Sequence, residues 1–203
     1  MSPKTIGMVS GLLVIASVIP YSIRVWQNKI HPNPTSWSLW TLIGLSLLLT
    51  YKSSGATDSV WPSVFGFTNP LLITLILTTR RERWRRFDRV EKACLALGLI
   101  SLGAWLLVHD NDDLTQYALY LAIVADGCAV LPTIKFVWNE PEKERPLAWC
   151  CFGTGYGLAV FAITDHTFSN YVLPIYMFCG AWCVAIPLIV YRLRSKSPLS
   201  EWI

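Results

Sequence analysis

Asp126 is the residue of this chain best placed to do chemistry. It stands in an apolar run, between Ile123-Val124-Ala125 and Gly127-Cys128-Ala129. A carboxylate at a bilayer centre costs at least about 2.5 kcal/mol on insertion scales, so it normally faces a bundle interior or a cavity. There it can bind a polar solute or exchange a proton. It can equally serve as a structural carboxylate bonded to a neighbouring helix. Asn69-Pro70 is the second candidate. Proline inside a helix frees the carbonyl four residues back, here that of Gly66, and bends the helix. A freed carbonyl beside an Asn amide can line a cavity and bind a polar solute; it can also be a packing kink. Pro20, Pro132 and Pro187 lie in similar apolar contexts and, with Pro70, are the candidate hinges.

Other chemistries find no support. The six cysteines all fall in apolar stretches, which is poor placement for a disulfide framework or a zinc site. Cys179 and Cys183 share a helix face but suit packing better than metal. His109-Asp110 and Asp165-His166 read as solvated loop ends, as does His31. There is no glycine-rich phosphate loop followed by Lys, no zinc-protease helix and no nucleophile elbow. No enzyme activity, metal or other cofactor is therefore expected. A retinal protein would need a Lys midway along the last helix, and Asn170–Arg192 contains none.

The elements that must position these residues are membrane spans. Of 203 residues, 53% are hydrophobic and 15% charged, against about 25% charged in soluble domains. Seven helices are predicted: Thr5–Trp26, Thr35–Tyr51, Asp58–Thr79, Glu91–His109, Leu114–Trp138, Leu147–Thr164 and Asn170–Arg192. Most reach the roughly 20 residues a hydrocarbon core requires; the second and sixth fall a little short. Asp113 is the expected cap of the fifth. An outside N-terminus places fifteen of the seventeen Lys and Arg on the inner face, seven of them in Arg80–Lys92. The positive-inside rule then makes the C-terminus cytoplasmic, in a plasma or inner membrane. The basic run is expected to hold topology and to touch anionic lipid, not nucleic acid.

The chain also repeats at an offset of 112 residues. Pro20, Trp26, Pro34, Trp37, Pro62 and Arg80 fall on Pro132, Trp138, Pro146, Trp149, Pro174 and Arg192. The copy of the first stretch at Ala118–Pro132 argues against reading Ile6–Pro20 as a signal peptide. Three helices form an odd unit, so one extra crossing is needed to keep two copies parallel. The fourth helix has no repeat partner and fits that role. The expected division is 1–81 for the first unit, 82–113 for the basic loop and linker helix, 114–194 for the second unit and 195–203 for a cytoplasmic tail. The copies differ where chemistry is expected: Val14 matches Asp126, and Ala181 matches Asn69.

This layout of three helices, a linker and three helices resembles the SWEET and PQ-loop superfamily of seven-helix proteins. The likeness covers nearly the whole chain as architecture. At the motif level Pro20-Tyr21 and Pro132-Thr133 stand where the family has Pro-Gln, and Asn33-Pro-Thr-Ser-Trp-Ser38 is similar to the polar start of the second helix of PQ-loop units. Asn69 resembles the Asn that sugar carriers hold in a third helix. The resemblance implies an all-α polytopic fold and a transporter for a small polar or amphipathic solute, working by alternating access. Its site would lie between the units, lined by Asn69, Asp126, Trp182 and Tyr176, with Trp182 stacking on the solute and Asp126 as the proton-coupling group. The expected partners are the bilayer, the solute and protons, with an oligomer left open and no nucleic acid. KDEL receptors share the fold and bind peptides, so a binding or sorting receptor is the alternative, as is a membrane scaffold.

Overall fold

The computed structural model describes residues 1–28 and 32–202, with the side chains of Asp112 and Asp113 excepted. Lys29 and His31 lie outside the described residues. All regular structure among the described residues is helical. Seven α-helices follow one another: α1 Pro3–Trp26, α2 Pro34–Ser53, α3 Trp61–Thr79, α4 Arg89–Val108, α5 Asp112–Asn139, α6 Pro146–Ala159 and α7 Phe168–Arg194. Short 3-10 turns precede α3 at Asp58–Val60 and extend α6 through Val160–Ala162.

Local chemistry sets the helix starts. The Ser2 hydroxyl accepts from the Thr5 N–H at 3.2 Å, so α1 begins earlier than expected. Pro34 and Pro146 occupy first-turn positions, where the missing N–H leaves nothing unpaired. A reciprocal box of Asp88 and Glu91 starts α4. The α5 cap is Asn111, which accepts from the Leu114 N–H at 3.2 Å, and not Asp113, which falls inside the helix.

Five segments are long and apolar enough to cross a membrane: Pro3–Trp26, Asp58–Thr79, Arg89–Val108, Leu114–Asn139 and Phe168–Arg194. The expectation of seven spans is met by seven helices but by only five of that apolarity among the described residues. The two others are α2 and α6. Helix α2 carries Thr35, Ser36, Ser38, Thr41, Ser46 and Thr50, which lower its hydropathy. It packs on α3, α4 and α5. Helix α6 is short, 17 residues even with its 3-10 extension, and packs on α1 and α7. By contrast, Leu107 is 87% exposed and Leu12 62%. Such exposed apolar surface suits contact with lipid.

Helix pairs are joined by small residues and by hydroxyls. A Cβ on Gly155 of α6 would stand 2.6 Å from Val14 Cγ2 and 2.7 Å from the Ser10 carbonyl oxygen of α1. Ser46 and Ser101 hydroxyls meet at 2.7 Å, and Ser101 donates to the Ala118 carbonyl at 2.9 Å, tying α2, α4 and α5 together. Two arginines fasten loops at the opposite end of the bundle from the N-terminus. Arg80 donates to the Trp26 carbonyl and to the Asn28 side chain. Arg192, 2% exposed, donates to the carbonyls of Glu142 at 3.0 Å and Glu144 at 2.9 Å. It also pairs with the Glu201 carboxylate at 3.4 Å, and the Leu147 N–H donates to the Trp202 carbonyl at 3.1 Å. The tail thus lies against the start of α6.

Candidate functional site

A cavity of about 450 Å³ opens into the bundle between α1, α2, α3, α5, α6 and α7. Helix α4 contributes no lining residue. Its deep part is lined by Ser63, Gly66, Asn69, Asp126, Tyr156 and Tyr176. Its walls carry Tyr21, Trp37, Trp40, Trp149 and Phe152, and its mouth carries Arg24, Lys143, Glu144 and Arg145. Lys143 is more than half exposed, so the mouth reaches solvent.

The far end of the bundle is tied shut. The Tyr51 hydroxyl is buried, donates to the Asn170 carbonyl at 2.9 Å and lies 2.9 Å from the Ser59 hydroxyl. The Asn170 amide donates to the Asp165 carbonyl at 2.9 Å, and Thr57 and Thr164 hydroxyls meet at 3.1 Å. These bonds link the start of α3 with the ends of α2 and α6 and the start of α7.

Each predicted site residue has a definite place. Asp126 of α5 is 6% exposed and accepts from the Tyr176 hydroxyl of α7 at 2.7 Å. Asn69 of α3 is 7% exposed and donates to the Val14 carbonyl of α1 at 2.8 Å. Val14 lies 112 residues before Asp126 in the sequence. One helix pair, α1 and α3, is thus bridged by an amide on a carbonyl and another, α5 and α7, by a phenol on a carboxylate. Asn69, Asp126 and Tyr176 share the cavity. Trp182 does not line it; its ring packs 3.1 Å from where a Gly153 Cβ would stand and 6.1 Å from the Phe178 ring. Alternate positions along α7 point to different sides of the helix, and Tyr176, Met177, Gly180 and Ala181 are the ones that face inward.

Of the candidate hinges, Pro20 and Pro70 line the cavity, while Pro132 and Pro187 do not. All four stand inside helices that continue through them, as does Pro174.

Sequence reasoning missed several lining residues. Ser63 is buried near the Tyr156 phenol, and its hydroxyl has no hydrogen-bond partner among the described residues. Gly66 is required because the Tyr156 hydroxyl occupies the space of a Cβ. Arg24 and Arg145 looked like topology signals, and only the packing reveals that they face a cavity. Burial pushes the Glu144 carboxyl up, against the opposing pull of the Arg145 N–H and charge, the Trp149 indole and the Arg24 charge. Burial lowers Arg145, and the like charges of Arg24 and Arg192 add to that.

The site is thus a deep, largely apolar cleft with a few convergent polar groups, the usual form of a small-molecule site. No His, Cys, Asp or Glu cluster suited to a metal occurs among the described residues. The fold and site define an all-helical protein, apolar enough to sit in a membrane, with a one-ended central cavity. No family model, curated protein or solved structure matches this chain.

Proposed function

We propose that this protein is a membrane transporter for a small polar or amphipathic solute. Two three-helix units, α1–α3 and α5–α7, are joined by α4 as a linker and rock against each other around the cavity. The observation that carries this reading is the cavity itself. It is lined by both units and not by α4, it opens at one end, and hydrogen bonds tie the other end shut. That is the shape expected of one half of an alternating-access cycle.

The pairing of helices supports the two-unit reading. Helix α1 packs on α3 and α6, as α5 packs on α7 and α2; α2 packs on α3, as α6 packs on α7. The loop-fastening residues Arg80 and Arg192 are separated by the same offset of 112. In the membrane we place the N-terminus outside and the cavity mouth in the cytoplasm, on the strength of the basic residues gathered at that end. The prolines in α1, α3, α5 and α7 supply the bends.

Asp126 is the proton-coupling group in this reading, because it is the carboxylate that lines the deep cavity and its one bond there is to a phenol. Asp126→Asn, reconstituted in liposomes, should abolish uptake driven by a pH gradient while the protein stays folded and inserted. Full pH-driven uptake by that variant would remove the coupling role.

A second reading is favoured by the same one-sided, charged mouth: a ligand-binding or sorting receptor of similar architecture. Flux separates the two. A transporter moves a bound solute across a liposome membrane, whereas a receptor binds it and leaves the internal concentration unchanged.

A further inference from the structure

The positive charge at the cavity mouth does more than set topology. Among the described cationic side chains at this end, most are exposed: Arg81, Arg83, Arg85, Arg86, Arg89, Lys92, Lys135, Lys143, Arg194 and Lys196. Four arginines are sheltered. Arg80 and Arg192 fasten loops and correspond in the repeat. Arg24 and Arg145 line the cavity, and they have no basic counterparts, since the matching positions are Phe136 and Asn33. A topology signal needs neither shelter nor a cavity.

The mouth is rich in charge. Arg24, Lys143 and Arg145 line it together with one carboxylate, Glu144, and Lys143 is paired with Glu140 beside it. Against the larger effect of its burial, the Arg145 N–H and charge and the Trp149 indole favour the charged form of the Glu144 carboxyl. The first turns of α2 and α6 also reach the mouth, through Ser36 and Trp37 and through Ala148 and Trp149, so two positive helix ends are directed at it. Just inside stand aromatic rings, with Tyr21 and Trp37 centroids 5.0 Å apart. A cation approaching from this side meets like charge. An anion meets guanidinium groups able to hold it by paired N–H donors, with tilted aromatic rings beneath.

We propose that Arg24 and Arg145 form an anion-recognition site at the cavity mouth, and that the solute this protein takes is a small organic carboxylate with an apolar, ring-bearing body. This deepens the transport reading above and rests on it for the fate of the bound molecule, but not for its binding.

The test uses the purified full chain and three probes of one shape: 3-phenylpropionate, its neutral amide and 3-phenylpropylamine. Binding is read by quenching of tryptophan fluorescence at fixed ionic strength. The acid should bind saturably, and the amide and the amine at least about tenfold more weakly. Arg24→Gln and Arg145→Gln should each weaken the acid about tenfold and leave the amide unchanged. Arg24→Lys and Arg145→Lys should fall between and serve if a Gln variant does not fold. Equal affinity for acid and amide, no binding of the acid, or unchanged affinity in the arginine variants would overturn the proposal. Nanodiscs with and without phosphatidylglycerol separate a solute from a lipid headgroup. The acid should bind in both; competitive loss with phosphatidylglycerol would assign the arginines to lipid and overturn it. Liposome flux distinguishes the two readings. Transport of a neutral or cationic solute that is indifferent to both arginines sinks the anion site and keeps transport. Acid binding with no flux keeps the anion site and sinks transport.

Discussion

At the residue scale, the cavity separates two kinds of acidic group. Asp126 lies deep in the bundle with a phenol for a partner, and Glu144 lies at the mouth among arginines. Glu144 carries a testable pH signature. Its folded-state affinity for a proton is raised above the ordinary glutamate value of about 4.3 because burial outweighs its partners. A group raised in this way adds stability below its unfolded pKa and loses that contribution as pH climbs through the folded one. Thermal unfolding of wild type and Glu144→Gln should therefore converge or cross as pH rises upward from about 4.3. The wild type should be relatively more stable at the acid end. A difference that grows with pH would mean that the arginines, not burial, govern this carboxyl. Asp126 was legible in the sequence because a lone carboxylate in an apolar run has few explanations. Glu144 was not, because a carboxylate in a charged loop looks like every other solvated one.

At the element scale, the helix pair α1 and α6 makes the most extensive contact between the two proposed units. It is set by Gly155, whose missing side chain lets the Ser10 carbonyl and Val14 approach. Gly155→Leu should force these helices apart and destabilise the protein by about 1–3 kcal/mol, in line with other overpacked cores. A lowered midpoint of thermal unfolding in detergent checks this. Gly103, with nothing within 4 Å of its Cβ position, is the control, and Gly103→Ala should leave the midpoint unchanged or slightly raised. Helix existence and order followed from apolar runs and breakers. Their starts were less accessible. The Asp88–Glu91 box and the Asn111 cap each lie among several residues that could cap equally well, and only the hydrogen bonds made choose between them. Helices α2 and α6 also show why hydropathy misleads. Helices that face other helices do not need the apolarity that lipid demands, and α2 spends its surface on hydroxyls bonded within the bundle.

At the scale of the whole molecule, the proposed arrangement requires the two ends of the chain to lie on opposite sides of the membrane, because seven crossings reverse direction. Reporter fusions active on only one side should give opposite results at the N- and C-terminus. The same result at both ends would break the two-unit scheme and leave α2 or α6 inside the bundle without crossing. The sequence by itself determined that the chain is helical and apolar, that its basic residues gather at one end, and that Asp126, Asn69 and the internal prolines are unusual. These are properties of composition and spacing, and they act through local backbone preference and transfer from water. Only the tertiary structure decided which of those residues share a cavity. It brought Tyr176 to Asp126, turned Trp182 away, committed Asn69 to Val14, and drew Arg24 and Arg145 from a crowd of similar cations. Such choices depend on how helices rotate about their axes when they pack. A rotation of one residue, about 100°, moves a side chain from the interior to the lipid, and no single helix carries enough information to fix that angle without its neighbours.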